Sequence, residues 1–189
     1  FDNNKISCLN QIFKLMTTYN VIGIMSGTSL DGLDICYCNF QVQDNQKWNF
    51  KLLSYSTIKY PTELEKKLAS AKNINGVNLM LLHNELGSFI GLSINNFITK
   101  NSIDRDNIDC ISSHGHTIFH QPENNLTTQI GNGANISSIT YLPVVCDFRT
   151  SDVALNGEGA PLVPIGDELL FSEYDYCINL GGIANISYQ

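Results

Sequence analysis

The chain has 189 residues, 43% of them hydrophobic and 15% charged, with a net charge of -7. These values fit one soluble-type globular domain, or one lobe of a larger protein, and exclude a disordered chain. The acidic balance argues against a nucleic-acid binder, which needs a basic face, but not against a nucleotide, because Mg²⁺ and backbone amides hold phosphates without one.

In chain order, residues 1–15 hold Lys5 and Lys14 but no sustained apolar core, and no small-residue cleavage site follows, so no signal peptide is read. Met16 is the expected natural start, which makes residues 1–18 an extension outside the natural fold. Apolar runs at 21–25, 33–40 and 48–60, joined by short polar links, predict an antiparallel meander of three strands. Pro61 then opens a helix over 61–71. Leu79, Leu82, Leu86, Phe89, Ile90, Ile94, Phe97 and Ile98 recur at three- and four-residue steps and predict a longer helix over 77–98. Buried strands follow at 108–113 and 144–146, with an extended piece at 127–130 and a helix at 134–141 between them. A helix over 162–171, a strand over 176–180, a Gly181-Gly182 turn and a strand over 183–188 complete the order. Helices between strands imply an α/β fold with parallel pairing in its later part. The last strand reaches Gln189, as if the chain were cut within a larger protein.

No run approaches the roughly 18 apolar residues of a membrane span. Of the six cysteines, Cys36, Cys38, Cys110, Cys146 and Cys177 lie in apolar strand-like runs, Cys8 does not, and none forms a C-x-x-C pair. They read as buried free thiols of a reducing compartment, so the expected location is cytoplasmic, and the Asn125, Asn135 and Asn185 glycosylation patterns are discounted.

Four segments carry chemistry. In the first, Gly27 and Gly32 permit a tight turn and close backbone approach, and Thr28 and Ser29 add hydroxyl donors. Successive amides can form an anion nest, and Asp31 and Asp34 suit Mg²⁺. An ordinary hairpin turn is the competing reading. No Gly-Lys-Ser/Thr follows, so it is not a Walker loop. Asp31 stands where a serine-hydrolase elbow needs Gly. The second segment, Ser112 to Thr117, contains His114 and His116, with His120 nearby. A strand-end loop facing a substrate is favoured over a metal site, for which ligands are sparse. In the third, Arg149 stands between Asp147 and Asp152 and suits an anionic or carboxylate ligand; an ion pair within the loop is the alternative. The fourth, Gly181-Gly182 between two strands, offers a second phosphate cradle.

The blocks Ile24-Met25-Ser26-Gly27-Thr28-Ser29-Leu30-Asp31-Gly32-Leu33-Asp34, Ser113-His114-Gly115-His116-Thr117, Gln129-Ile130-Gly131-Asn132, Asp147-Phe148-Arg149, Gly159-Ala160-Pro161-Leu162-Val163-Pro164 and Asn179-Leu180-Gly181-Gly182-Ile183-Ala184-Asn185 stand in order from about Tyr19 onward. Together they resemble the anhydro-N-acetylmuramic acid kinase family. The resemblance implies an actin/hexokinase-like (ribonuclease H-like) ATPase lobe, with a mixed sheet flanked by helices. It implies ATP and Mg²⁺, and opening of the 1,6-anhydro ring of anhydro-N-acetylmuramic acid with phosphorylation to N-acetylmuramic acid 6-phosphate, in cell-wall recycling. Residues 19–174 would be the N-terminal kinase lobe and 175–189 the first hairpin of a truncated second lobe. Gly27, Thr28, Ser29, Leu30, Asp31, Gly32, Leu33 and Asp34 would bind the ATP phosphates, joined by Gly181 and Gly182. His114, Asp147 and Arg149 would bind the sugar, with Asp31 and Arg149 catalytic and Asp31 the Mg²⁺ ligand. Relatives often carry Gln in the Ser-His-Gly motif, which weighs further against a metal role for His116. The family's catalytic base lies in an Asp-Cys-Gly-Pro-Gly-Asn-like motif beyond Gln189, so this segment would be inactive alone. A homodimer is the implied assembly. Two rivals stay open: a kinase of another sugar or carboxylate in the same superfamily, and a non-catalytic sugar- or nucleotide-binding truncated paralogue.

Overall fold

In the computed structural model of the chain, residues 17–43, 47–180 and 184–188 are described. The Met16 start, the signal-peptide reading and Gly181-Gly182 fall outside them. The expected meander forms from its three apolar runs: β1 (Thr17–Ser26), β2 (Leu33–Val42) and β3 (Trp48–Ile58) pair antiparallel. Pro61 stands just before α1 (Thr62–Ser70), whose first turn carries Glu63 and Glu65, charges that complement the helix dipole. Next comes α2 (Gly76–Lys100), capped by Asn75, whose side chain accepts from the Asn78 amide at 2.9 Å.

The chain then returns to the sheet as β4 (Cys110–Gln121), parallel to β1. From β4 it makes an antiparallel hairpin to β5 (Leu126–Ile130) and passes through α3 (Gly133–Thr140) to β6 (Val144–Cys146), parallel to β4. Short α4 (Thr150–Ala154) and α5 (Val163–Leu170) follow, then a separate hairpin of β7 (Tyr176–Leu180) and β8 (Ala184–Tyr188). The six-stranded sheet runs β3-β2-β1-β4-β5, with β6 also on β4. This mixed sheet flanked by helices is the α/β arrangement expected.

One sheet face carries the core. Ile22, Ile24, Leu33, Ile35, Tyr37 and Ile111 meet Leu82, Leu86, Ile90 and Ile94 of α2 and Leu64 and Leu68 of α1. The eight-residue stripe read on α2 packs here, Leu79 and Phe89 only partly buried. The opposite face is open: Tyr55 is 76% exposed, and Phe50 meets Phe171 after α5 edge-on at 5.5 Å.

Three expectations change. The 108–113 strand does not end before the histidines but continues through them to Gln121. The β6 strand is not buried: Val145 and Cys146 are exposed. Of the described cysteines, all free, only Cys38 is buried. Cys36 and Cys38 do share a face, with sulfurs 3.8 Å apart, and burial, reinforced by Cys36, pushes the Cys38 thiol up to about 12.

Candidate active site

Strands β1, β4 and β6 run parallel, so their carboxyl ends lie along one edge. Ser26 is in register with His116, and Ser113 with Cys146. Crevices outside the carboxyl ends of parallel strands are where α/β sheets bind ligands. The 27–32 turn, the His114 segment and the Asp147–Arg149 segment all meet this edge.

The turn is closed by the Leu30 amide donating to the Gly27 carbonyl at 3.2 Å, with Leu30 at φ 57. Thr28, Ser29 and Asp31 are exposed, and the Ser29 hydroxyl donates to Asp31 Oδ1 at 2.9 Å. Gly32 is required for packing: at φ +154, an added Cβ would stand 2.7 Å from Thr57 Cγ2 and 3.0 Å from the Ile58 carbonyl. Leu33 must be corrected. Its side chain is 0% exposed in the core and cannot contact a cofactor. Asp34, the second residue of β2, accepts from Thr57 Oγ1 at 2.5 Å, so part of its carboxylate ties strands together.

Beneath the turn runs a buried chain of three neutral groups. The Tyr60 hydroxyl donates to Ser26 Oγ at 2.7 Å, and Ser26 Oγ lies 2.9 Å from His116 Nδ1. Ser26, His116 and Tyr60 are 1%, 4% and 7% exposed. Burial raises the Tyr60 pKa and lowers that of His116. His116 is thereby an anchor for the turn. Among the described residues no group of three or more His, Cys, Asp or Glu is placed to hold a metal.

His114 and Arg149, 35 residues apart in sequence, are brought together. Arg149 Nε lies 3.0 Å from His114 Nε2 and its Nη2 2.9 Å; Nη1 donates to the Gly159 carbonyl at 2.5 Å. His114 Nδ1 meets the Gly115 carbonyl at 3.0 Å, so this nitrogen carries the proton and Nε2 accepts. Burial lowers the His114 pKa, and Arg149 adds to that. The ion pair weighed for Arg149 does not form with either aspartate. Instead Asp152 accepts the Gly159 amide at 2.7 Å, and Asp147, at φ 61, accepts from Thr150 Oγ1 at 2.5 Å. The loop reading of His114 is corrected with the strand: Gly115, at φ +71 with an added Cβ 2.5 Å from the Ile130 carbonyl, bends β4 without ending it.

The His114 and Asp147 segments border a cleft of ≈ 550 Å³ lined by His83, Ser113, His114, Gln129, Asn132 and Asp147, among others. His83 was not legible in sequence, because it sits on α2 among apolar residues. Its Nδ1 accepts the Gly131 amide at 3.1 Å, and its carbonyl accepts the Asn132 amide at 3.0 Å. Burial lowers its pKa.

The family model described as Anhydro-N-acetylmuramic acid kinase matches residues 19–189. The chain belongs to this family. Proteins named anhydro-N-acetylmuramic acid kinase are similar to it: that of Pseudoalteromonas translucida is 37% identical over 182 residues, covering 89% of this chain and 45% of the relative. That of Vibrio vulnificus is 36% identical over 174 residues (88% and 46%), and that of Shewanella baltica 38% over 177 (88% and 46%). The chain thus spans about half the length of the curated relatives it matches. No helix among the described residues is long and apolar enough to cross a membrane.

Proposed function

We propose that this chain is the first part of a cytoplasmic, ATP-dependent kinase that opens the 1,6-anhydro ring of anhydro-N-acetylmuramic acid and phosphorylates it to N-acetylmuramic acid 6-phosphate. Residues 19–174 form its N-terminal lobe, and 175–189 begin the second. One observation supports this most: in a chain of this family, an exposed glycine turn and a polar cleft share the carboxyl edge of β1, β4 and β6.

ATP, when bound, supplies the phosphoryl group. Phosphoryl transfer asks mainly for positioning and charge stabilisation. The turn fits phosphate: its hydroxyls at Thr28 and Ser29 are exposed, and Gly27 has no side chain to crowd Ser29, whose Oγ would lie 3.2 Å from an added Cβ. Asp31 orients Ser29 through one carboxylate oxygen and offers the other to Mg²⁺, an ion that takes few protein ligands beside phosphate and water. Arg149 is braced by His114 and Gly159 and keeps donors in reserve for the carboxylate of the sugar, with Asp147 at the cleft wall.

The full-length protein, incubated with ATP and the anhydro sugar, yields N-acetylmuramic acid 6-phosphate by mass spectrometry. Phosphorylation of N-acetylglucosamine or acetate in its place would overturn the reading.

A further inference from the structure

The cleft contains an unmet need for hydrogen bonds. Ser113 Oγ and Gln129 Oε1 are buried without a partner among the described residues, and both residues line it. Ser113 is 1% exposed. The Gln129 amide nitrogen is already committed, donating to Thr127 Oγ1 at 2.9 Å and to Thr117 Oγ1 at 3.4 Å, which leaves Oε1 as the free end. Buried oxygens are almost always paired, and those left unpaired in a cleft are the ones a ligand completes.

The surrounding groups define the ligand's chemistry. His83 Nδ1 accepts a backbone amide, so the neutral ring keeps its proton on Nε2 as a donor. The His114 ring spends Nε2 on Arg149. Among the lining residues Asp147 alone carries a formal charge, and it is negative. A carboxylate is therefore unwelcome inside, whereas a group that both donates and accepts without charge meets Gln129, Ser113 and His83 together.

We propose that Ser113 and Gln129 are specificity-determining residues, whose two unpartnered oxygens read a neutral amide or hydroxyl group of the sugar. The inference rests on the kinase reading above and assigns the end of the substrate that enters the cleft.

The test compares the full-length wild type with Ser113→Ala and, independently, Gln129→Leu, measuring KM for anhydro-N-acetylmuramic acid, KM for ATP, and Tm. Loss of one ligand hydrogen bond raises the sugar KM about tenfold, with the ATP KM unchanged. Because Ser113 Oγ has no partner among the described residues, Ser113→Ala leaves Tm unchanged or higher, an outcome a purely structural serine would not give. If the wild type turns over the sugar and both variants keep its KM, the inference fails alone and the kinase reading stands. A lowered Tm for Ser113→Ala with unchanged sugar KM likewise overturns it. If the wild type does not turn over this sugar at all, the kinase reading fails and the inference falls with it.

Discussion

The 27–32 turn and the cleft beside it share one edge of the sheet but differ in construction. The turn holds Thr28, Ser29 and Asp31 in solvent and fixes only its base, through the buried Tyr60–Ser26–His116 chain. The cleft encloses its polar groups: His83 and His114 are neutral and braced, and Ser113 is buried and unmet. An open rim of amides and hydroxyls suits a charged, hydrated phosphate chain, which brings its own counterion. A wall of polar groups, neutral but for Asp147, suits a sugar, whose hydroxyls and amide must be matched one by one.

If that contrast is functional, substitutions in the two regions separate into two kinetic classes. Asp31→Asn has the largest expected effect, lowering kcat on the order of a hundredfold with little change in sugar affinity, since it removes charge at the phosphate rim; full turnover by this variant would remove Asp31 from the mechanism. Arg149→Lys exchanges a braced fork for a point charge and strands the His114 acceptor, so sugar KM rises about tenfold while ATP KM stays constant. A rise in ATP KM instead would merge the two regions. Tyr60→Phe removes the donor to Ser26 and costs about 1 kcal/mol in chemical denaturation, with a small rise in ATP KM only.

The smallest effect is on pH dependence. His83, His114 and His116 all have folded-state pKa values below their ordinary one, chiefly through burial. Below that ordinary value, about 6.5, the unfolded chain takes up protons that the folded chain refuses. The histidines' contribution is therefore fully present above it and is lost as pH falls toward the lower folded values. Thermal unfolding at pH 5 compared with pH 7 should show lower stability in acid, and replacing His83 with Gln should flatten the difference.

Much of this edge was legible beforehand. The β1–β3 meander follows from three apolar runs joined by short polar links, α2 from its apolar stripe, and β6 was read at its observed bounds. The meeting of His114 with Arg149 was not, because a contact across 35 residues has no local signal. The β4 extension was hidden because Ser-His-Gly-His-Thr has the composition of a loop; pairing of His116 with Ser26 and Ile130, and of Thr117 with Gln129, makes it a strand. His83 was masked for the opposite reason, a polar residue inside a convincing core helix. The exposure of Val145 and Cys146 depends on what covers the second sheet face, which apolarity alone does not reveal. Leu33 shows how a motif's edge can belong to the core rather than the site.

The division between rim and cleft is tested most directly by separate NMR titrations of the full-length protein with ADP and with anhydro-N-acetylmuramic acid. ADP should shift the amides of residues 27–32, and the sugar those of 113–116 and 131–133. Sugar-induced shifts confined to 27–32, with the cleft amides unmoved, would contradict it.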